Sequence, residues 1–574
     1  MNTWRFSHRR DRLHEVRVSW HRCLVVFIAL SVLLRFAIPT YFAFGAIHDD
    51  ELMVRMAGKI LAHTQSAWDQ FAIQKEPGYA YFLALLIKLK VSPVIAVHLL
   101  TMASTYVLFL VLRSVVSEAH SAICAILIVI NPALFGVGAS RIYNVSFQTS
   151  LVAGLLAVSA RFVFLLKSQT TARRQAFFAA FILFGIVGAM AITRPDWIFI
   201  AYPLLGSIAV TNLRNRTQLW FRNLCLLLIL ASISIIPAAS KELVRISHER
   251  TYGVHLVNDV NEGNFKEMMQ SLARIEPRSE SSFVVVSKVA LREAERISPT
   301  FSQMSRFLKG RDSELWMSIT CDAGGPCDEI AGGYLPLMLR DGLIQSFPGA
   351  NASDFQTISK RIANEIDLAC RLGEISCGER GTGAWLPSVQ NLDFKLSMLE
   401  FVRLLFSRSY SFKDRITFRS VTDSSRASIA AAPTWEIIES DLVGLRGVSR
   451  GGTPEILQHP ISELLSFISL TIRLYSLIGA LLFLRFAMKF RHDMHLVGIG
   501  FGMLAAVLVL TSFYSVMYVN SFGTSVDGGN LAYLMMVQPL AICVACIGFH
   551  FAFHQIRLRN RERTQNFRPR EGND

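Results

Sequence analysis

The sequence predicts a mainly α-helical membrane protein that carries one polar, α-rich α+β domain outside the membrane. Hydrophobic residues make up 52% of the 574 residues and charged residues only 18%, which is typical of membrane proteins. The hydrophobic residues lie in runs of about 20, the length that crosses a bilayer as a helix. A polar stretch at 241–459, where charges, Gly and Pro are frequent, interrupts these runs.

We expect about ten transmembrane helices. The runs that predict them lie at 23–44, 93–112, 119–139, 147–167, 176–193, 196–211, 221–240, 460–484, 495–518 and 531–553. Residues 78–90 are apolar but short for a crossing, so they predict an interfacial helix. With that segment not crossing, every strongly basic short loop falls on the same side as the basic ends of the chain, as the positive-inside rule requires.

The predicted organisation follows from these spans. It consists of a basic cytoplasmic N-terminus (1–22), a transmembrane module (23–240) with an outer loop (45–92), an outer domain (241–459), C-terminal transmembrane helices (460–555) and a basic cytoplasmic tail (556–574). We expect the protein to lie in the cell inner membrane, with both termini cytoplasmic and the outer domain periplasmic.

The polar region 241–459 predicts a domain of ordinary size. Residues 265–275 and 353–370 have the apolar spacing of helices, whereas Ser-Phe-Val-Val-Val at 282–286 predicts a strand. Four of the nine cysteines lie in this region. An even number in an oxidising compartment predicts two disulfides, with Cys321–Cys327 and Cys370–Cys377 as one pairing, and a metal site is the alternative.

The net charge of +15 could indicate a nucleic-acid partner, but most of the excess Lys and Arg flanks the predicted spans. We therefore expect no nucleic-acid binding. The sequence contains no Walker loop, dinucleotide-binding fingerprint or Cys/His zinc pattern, which argues against an ATP-driven pump.

The outer loop opens with an acidic motif, Asp49-Asp50-Glu51, directly after His48. On a helix, residues four apart would form a polar stripe opposite an apolar face. The stripe consists of Glu51, Arg55, Lys59 and His63, and the apolar face of Leu52, Met53, Met56, Ile60 and Leu61. Such a helix lies in a membrane interface with its charges in water, so the loop contains two interfacial helices.

The acidic motif, the amphipathic helix and the Lys-Glu-Pro-Gly-Tyr sequence at 75–79 together resemble the first outer loop of the C-type-fold membrane glycosyltransferases. Protein mannosyltransferases and lipid A aminoarabinose transferases belong to that family. Two shorter motifs, Arg-Ile-Tyr-Asn at 141–144 and Thr-Arg-Pro-Asp at 193–196, fit the same resemblance, which covers about the first 240 residues. Glu76 replaces the usual first proline, and the arginine that some members carry after the acidic pair is not in register.

The resemblance implies an inverting hexosyl- or pentosyltransferase. Its donor would be a polyprenyl-phosphate sugar, and its acceptor a glycan, lipid or protein at the outer face of the membrane. The family register implies that Asp50 is the general base, with Asp49 as base or accessory. Adjacent carboxylates repel each other, so we expect one of the two to have a raised pKa.

Three cations are candidates to bind the donor phosphate. Lys75 precedes a Pro-Gly turn at the membrane surface, and Arg141 and Arg194 lie at outer ends of spans, where lone cations are otherwise depleted. The alternatives are an ordinary interfacial lysine, lipid head-group contact, or pairing of the arginines with Asp196 or Glu76.

Tyr79 and Tyr143 are candidates to shape the sugar pocket, although interfacial tyrosines are common without a ligand. His48, Asp49 and Asp50 leave open a divalent metal ion, and no other cofactor is expected.

Two further functions remain as alternatives. A lipid or polysaccharide transporter or flippase would have broken helices in paired halves, and the sequence shows no such pairing. A non-catalytic scaffold would assemble an envelope complex through the 241–459 domain.

Overall fold

The structure is a computed structural model of the chain. It describes residues 19–37, 48–62, 68–135, 139, 141–167, 172–213, 219–277, 279, 281, 284–322, 325–378, 393–406, 455–490, 494–521 and 537–566. Within those ranges the regular secondary structure is helical, apart from isolated bridge residues, which include the antiparallel pair Ile275 and Cys377. The predicted mainly α-helical class is confirmed.

The helices follow one another along three parts of the chain. The first part contains α1 (Trp20–Ala37), α2 (Asp50–Ala62), α3 (Gly78–Lys88), α4 (Pro93–Leu112), α5 (Glu118–Val129), α6 (Asn144–Lys167), α7 (Ala172–Thr193), α8 (Ile198–Leu213), α9 (Leu219–Leu230) and α10 (Ile236–Tyr252). The polar part contains α11 (Gly263–Leu272), α12 (Lys288–Ile297), α13 (Ser305–Leu308), α14 (Arg311–Asp322), α15 (Leu335–Ser346), α16 (Ala352–Leu372) and α17 (Phe394–Phe406). The last part contains α18 (Glu455–Ala487), α19 (Met494–Ser521) and α20 (Val537–Asn566).

Six helices in the described ranges are long and apolar enough to cross a membrane, which makes the chain a multi-pass membrane protein. They are Pro93–Leu112, Asn144–Phe162, Leu226–Tyr252, Phe467–Ala487, Leu496–Ser521 and Val537–Asn560. Shorter apolar helices lie at Gly78–Lys88, Glu118–Leu134, Phe177–Thr193 and Pro195–Thr211. The count of ten spans stays a prediction. Residues 38–44, 136–138 and 531–536 of three predicted spans lie outside the described ranges.

Close helix packing in the bundle depends on glycines. A Cβ on Gly548 of α20 would overlap the carbonyl oxygen of Gly479 in α18, so the two backbones cross with no space for a side chain. Gly498 and Gly502, four residues apart on α19, pack in the same way against Thr211 and Ser207 of α8. Small residues at such crossings let membrane helices approach closely.

The helix of the predicted span 221–240 continues well past its predicted end. α9 passes through a π-helical turn, Ala231–Ile235, into α10. α10 ends at Tyr252, and Gly253 caps it with a φ of 74°. Pro237 has no N–H to donate at the start of α10, and a π turn just before it accommodates the missing hydrogen bond. The predicted boundary at 240 and 241 therefore lies inside one continuous helix.

Residues 254–378, here called the polar lobe, have a hydrophobic core of their own. Buried side chains from α11, α12, α15 and α16 form this core, with Phe265, Met268, Met338 and Ile362 fully enclosed. Disulfides join Cys321 to Cys327 and Cys370 to Cys377 in the lobe, which is the pairing that the sequence favours.

The strand predicted at 282–286 is wrong for the residues that the structure describes. Val284, Val285 and Val286 lie in irregular backbone, and residues 282 and 283 are outside the described ranges. All three valines are buried, with Val285 and Val286 in the helical core. An apolar run shows that a segment is buried, but it forms a strand only where a neighbouring strand can pair with it.

The polar lobe docks on the loop between α2 and α3, whose described part is residues 68–77. Nε and Nη2 of Arg340 each lie 2.9 Å from a carboxylate oxygen of Asp259. The same guanidinium donates to the carbonyl oxygens of Gln70 and Ala72, each at 2.7 Å. The Asp259 N–H donates to the carbonyl oxygen of Ile73 at 2.8 Å. The lobe and the α2–α3 loop therefore form one hydrogen-bonded unit.

Candidate functional site

Five of the residues predicted from the sequence lie together in an acid–base cluster. Its members are Asp49, Asp50, Lys75, Arg141 and Tyr143. Asp50 opens α2 and Asp49 precedes it, where exposed N–H groups and the helix dipole favour negative charge. Asp50 is fully buried, whereas the side chain of Asp49 is 36% exposed.

Arg141 holds Asp50 through both of its carboxylate oxygens. Nε lies 2.9 Å from Oδ1 and 3.2 Å from Oδ2, and Nη2 lies 2.6 Å from Oδ1. The Nη2 atom is also 3.6 Å from Oδ2 of Asp49, so one guanidinium faces both carboxylates. Arg141 itself is 24% exposed, which leaves this cation accessible from solvent.

Lys75 completes the cluster from the α2–α3 loop. Its ammonium donates to Oδ1 of Asp49 at 2.7 Å and to the hydroxyl of Tyr143 at 3.1 Å. Both cations also lie near the ring of Tyr143, with Lys75 and Arg141 each 5.1 Å from its centroid. Tyr143 therefore positions both cations through its hydroxyl and its ring face.

The cations determine the protonation state of Asp49. Burial alone would raise the pKa of this carboxyl, but the charges of Lys75 and Arg141 and the hydrogen bonds from Lys75 and Tyr143 oppose it. Their combined effect holds the pKa of Asp49 well below its usual range. Asp49 is therefore not the aspartate with the raised pKa, and a raised pKa for Asp50 stays a prediction.

The position of Lys75 depends on the Pro-Gly turn that follows it. Gly78 starts α3 against the C-terminal end of α7, where a Cβ would lie 2.5 Å from Oγ1 of Thr193 and 2.7 Å from the carbonyl oxygen of Ile192. No side chain fits there without displacing α3. The glycine of the Lys-Glu-Pro-Gly-Tyr sequence is thus required by a close backbone approach.

Tyr79 lies in the core and does not line an accessible pocket. Its side chain is 1% exposed and its ring packs against Phe82 and Phe147, at centroid distances of 6.3 and 6.1 Å. The predicted role of Tyr79 in the sugar pocket is therefore corrected to packing of α3 against α6. Because the turn at 75–78 directs the first side chain of α3 inward, sequence position alone could not reveal its burial.

Arg194 belongs to a second polar group, which it forms with Asp196 and Tyr514. Its Nε lies 3.0 and 3.1 Å from the two carboxylate oxygens of Asp196, and Tyr514 of α19 donates to the same carboxylate. The alternative of pairing with Asp196 is the one that the structure shows. A partner two residues away binds the arginine locally.

Glu76 interacts electrostatically with this second group. Burial raises the pKa of Glu76, and the charge of Asp196 raises it further, while Lys241 and Arg194 oppose the shift. The side-chain amide of Asn258 donates to Glu76 at 2.7 Å. Glu76 stands where the glycosyltransferases that this loop resembles usually have proline. Its side chain therefore provides a contact with the polar lobe.

His48 points away from the two aspartates. Its Nδ1 lies 2.6 Å from the amide nitrogen of Gln74, and its Nε2 lies 3.1 Å from Oδ2 of Asp341. Both ring nitrogens therefore contact protein groups. Among the residues that the structure describes, no three His, Cys, Asp or Glu side chains are grouped to hold a metal ion. The geometry does not support the divalent metal ion that the sequence leaves open at His48, Asp49 and Asp50.

The polar stripe of α2 is covered and does not face water along its length. Glu51 is 7% exposed and accepts from Nε of Arg55 at 2.9 Å, while Lys59 reaches Asp69 of the α2–α3 loop at 2.5 Å. Arg55 also lies 4.4 Å from the ring centroid of Phe71. The loop folds over the helix and satisfies its charges. His63 lies outside the described residues.

Comparisons with known proteins give little beyond this geometry. No protein-family model matches the chain, and no curated protein matches it in sequence. Among solved structures the chain is similar to the crystal structure of ArnT from Cupriavidus metallidurans in the apo state. The TM-score is 0.33 and the identity 11%, and the match covers 92% of this chain and 77% of that chain. The function is therefore argued from the acid–base cluster itself.

Proposed function

We propose that the protein is a membrane glycosyltransferase that moves a monosaccharide from a polyprenyl-phosphate donor to an acceptor hydroxyl at the outer face of the inner membrane. One observation carries the proposal. Two cations, Lys75 and Arg141, both contact Asp49, and Arg141 also binds Asp50. Asp49, Lys75 and Arg141 are partly exposed, whereas Asp50 is buried beneath them. The resemblance of the same residues to the C-type-fold glycosyltransferases supports it.

The transfer needs a base at one side of the sugar and positive charge at the other. Asp50 takes the proton from the acceptor hydroxyl, whose oxygen attacks the anomeric carbon. The bond between that carbon and the phosphate oxygen breaks with inversion, and the polyprenyl phosphate leaves with the electron pair. A general base of this kind contributes about 10²–10⁴-fold to the rate. Cations that stabilise the departing phosphate contribute on a comparable scale.

The ion pairs in the cluster suggest how donor binding prepares the base. In the structure, Arg141 covers the carboxylate of Asp50 and Lys75 binds Asp49. The donor phosphate is a diester with one negative charge, and its two free oxygens compete for both cations because they accept from arginine in the same two-pronged geometry as a carboxylate. The negative charge that builds on it as the glycosidic bond breaks strengthens these contacts. Once the phosphate has drawn Arg141 away, Asp50 is uncovered and becomes a stronger proton acceptor. The base is therefore active only when the leaving group is held.

A first experiment identifies the sugar and the acceptor. Mass spectrometry compares the envelope glycans, lipids and glycoproteins of cells with and without this chain. We expect one glycosylated species to disappear when the chain is absent. Unchanged glycosylation in every fraction would contradict the proposal and favour a scaffold or transporter.

A second experiment tests the base. Asp50→Asn keeps the size of the side chain and removes its proton-accepting charge, so we expect transfer to fall about 10²–10⁴-fold with normal folding. Asp312→Asn, an exposed carboxylate on α14, is the matched control and should retain full activity. Transfer is measured as the release of polyprenyl phosphate from the purified protein in lipid vesicles. Retained activity in the Asp49→Asn, Asp50→Asn double variant would defeat the mechanism.

A further inference from the structure

We infer that helix α15 of the polar lobe positions the acid–base cluster, with Arg340 and Asp341 as positioning residues. The expected effect on kinetics rests on the proposed function, whereas the contacts of Arg340 and Asp341 are independent of it. The two residues are consecutive on α15, and each reaches a different part of the chain next to the cluster. Neither residue contacts a member of the cluster itself.

Arg340 holds the backbone of the α2–α3 loop. It is fully buried, and its donations to the carbonyl oxygens of Gln70 and Ala72 fix the loop shortly before Lys75. Ile73 lies between, with a φ of 45°, in the left-handed region that is unfavourable for a β-branched residue. A strained residue keeps such a conformation only where its surroundings hold it, and the contacts from the lobe do so.

Asp341 reaches the cluster through two side chains. Its Oδ2 lies 3.1 Å from Nε2 of His48, and Nδ1 of His48 lies 2.6 Å from the Gln74 amide. A neutral imidazole fits both contacts, because Nδ1 accepts from the amide while Nε2–H donates to the carboxylate. The ring of Trp316, also from the lobe, packs against His48 at a centroid distance of 5.3 Å.

These contacts connect the residues that come immediately before Asp49 and Lys75, the two members of the ion pair. His48 comes directly before Asp49, and Gln74 comes directly before Lys75. The hydrogen bond between His48 and Gln74 therefore joins the two backbone segments that present the 2.7 Å ion pair. Asp341 fixes the His48 ring in the orientation that makes this bond. The lobe thus sets the distance between a carboxylate and a phosphate-binding cation.

The experiment compares substitutions on one helix. Asp341→Ala removes the acceptor for His48, Asp341→Asn restores an oxygen at the same position, and Gln345→Ala changes an exposed residue one turn further along α15. Arg340→Lys is a second variant, which keeps the charge but cannot form the same set of hydrogen bonds. Hydrogen exchange of residues 68–76 is measured together with the kinetics of transfer from a polyprenyl-phosphate sugar.

We expect Asp341→Ala to speed hydrogen exchange in residues 68–76 and to raise the donor KM about tenfold, because Lys75 is displaced. Asp341→Asn should bring both values back to within about threefold of the wild type, and Gln345→Ala should change neither. A merely structural role would lower the folded fraction and hence kcat, with the donor KM unchanged. Unchanged exchange in both Asp341→Ala and Arg340→Lys would overturn the inference.

The exchange measurement separates this inference from the proposed function. If the wild type transfers no sugar but Asp341→Ala still speeds exchange in the α2–α3 loop, the proposed function fails and the positioning role stands. If transfer occurs and the Asp341→Ala variant has a wild-type KM and wild-type exchange, the proposed function stands and the positioning role fails.

Discussion

Two arginine–aspartate pairs lie close to the α2–α3 loop and have nearly the same geometry. Arg340 binds both carboxylate oxygens of Asp259 at 2.9 Å, and Arg141 binds both oxygens of Asp50 at distances of 2.6 to 3.2 Å. The pairs differ in their surroundings. Arg340 is 0% exposed and Arg141 is 24% exposed.

The difference in surroundings separates a structural pair from a functional one. The remaining donors of Arg340 go to backbone carbonyl oxygens, which no ligand replaces. Arg141 instead faces a second carboxylate, Asp49, which is itself shared with Lys75. An incoming phosphate can exchange with these carboxylates without breaking backbone contacts. Similar ion-pair geometry therefore does not imply a similar role.

The largest expected effect comes from removing the two arginines in turn. Arg340→Gln leaves the charge of Asp259 buried and unpaired, so we expect about 3–5 kcal/mol of lost stability. Arg141→Gln should cost less stability, because Arg141 itself is partly exposed and water can enter beside the shorter glutamine to hydrate Asp50. It should lower transfer on the order of a hundredfold. Stability is measured as the free energy of unfolding in detergent, and transfer as the release of polyprenyl phosphate.

The control for this comparison is Arg296→Gln, which breaks an exposed pair with Glu293 on α12. Exposed ion pairs contribute about 0–1 kcal/mol, so this variant should resemble the wild type in both measurements. If Arg141→Gln lost as much stability as Arg340→Gln while transfer by the folded fraction remained normal, the distinction between the two pairs would be wrong.

The sequence predicts the apolar helices well because apolar length is a local property. The predicted spans 93–112, 147–167 and 495–518 coincide with α4, α6 and α19 to within a few residues. Non-local contacts were not predictable in this way. Nothing near Arg340 in the sequence indicates that it binds Asp259 or the carbonyl oxygens of a loop some 270 residues earlier. The length of α10 and the irregular backbone at Val284 also depend on such packing.

The candidate site divides along the same line. Asp49, Lys75 and Arg141 each lie beside a different helix, at the end that is predicted to face the outer side of the membrane. The predicted topology therefore brings them near one another. Arg194 also lies at that end, but Asp196 offers a partner in the same turn. The burial of Tyr79 and the contribution of Tyr514 depend on helix rotation, which the sequence pattern does not determine.

A smaller effect is expected from a change in the backbone that presents Lys75. Gly78→Ala places a methyl group against Thr193 and the backbone of Ile192, which pushes α3 away from α7. We expect about 1–3 kcal/mol of lost stability and a higher donor KM, because Lys75 moves with the turn. In the control, Gly185→Ala, the added methyl group meets no atom within 4 Å in the middle of α7, so stability should stay equal or rise by up to about 1 kcal/mol. Equal behaviour of the two variants would show that the close approach at Gly78 does not position the cluster.

The smallest effect concerns the dependence of stability on pH. It tests the electrostatics of the partly exposed acid–base cluster, as opposed to the buried pair of Arg340 and Asp259. The pKa of Asp49 is lowered in the folded protein, so the unfolded chain takes up a proton at this position more readily. The stabilisation from Asp49 is therefore complete above the ordinary pKa of an aspartate and is lost as the pH falls below about 5.

We expect Asp49→Asn to flatten the acid side of a plot of unfolding temperature against pH, relative to the wild type. Asp312→Asn on the exposed face of α14 should leave the slope unchanged. An acid slope that is the same in all three proteins would mean that Lys75 and Arg141 do not hold Asp49 ionised, and the cluster would then resemble an ordinary set of surface charges.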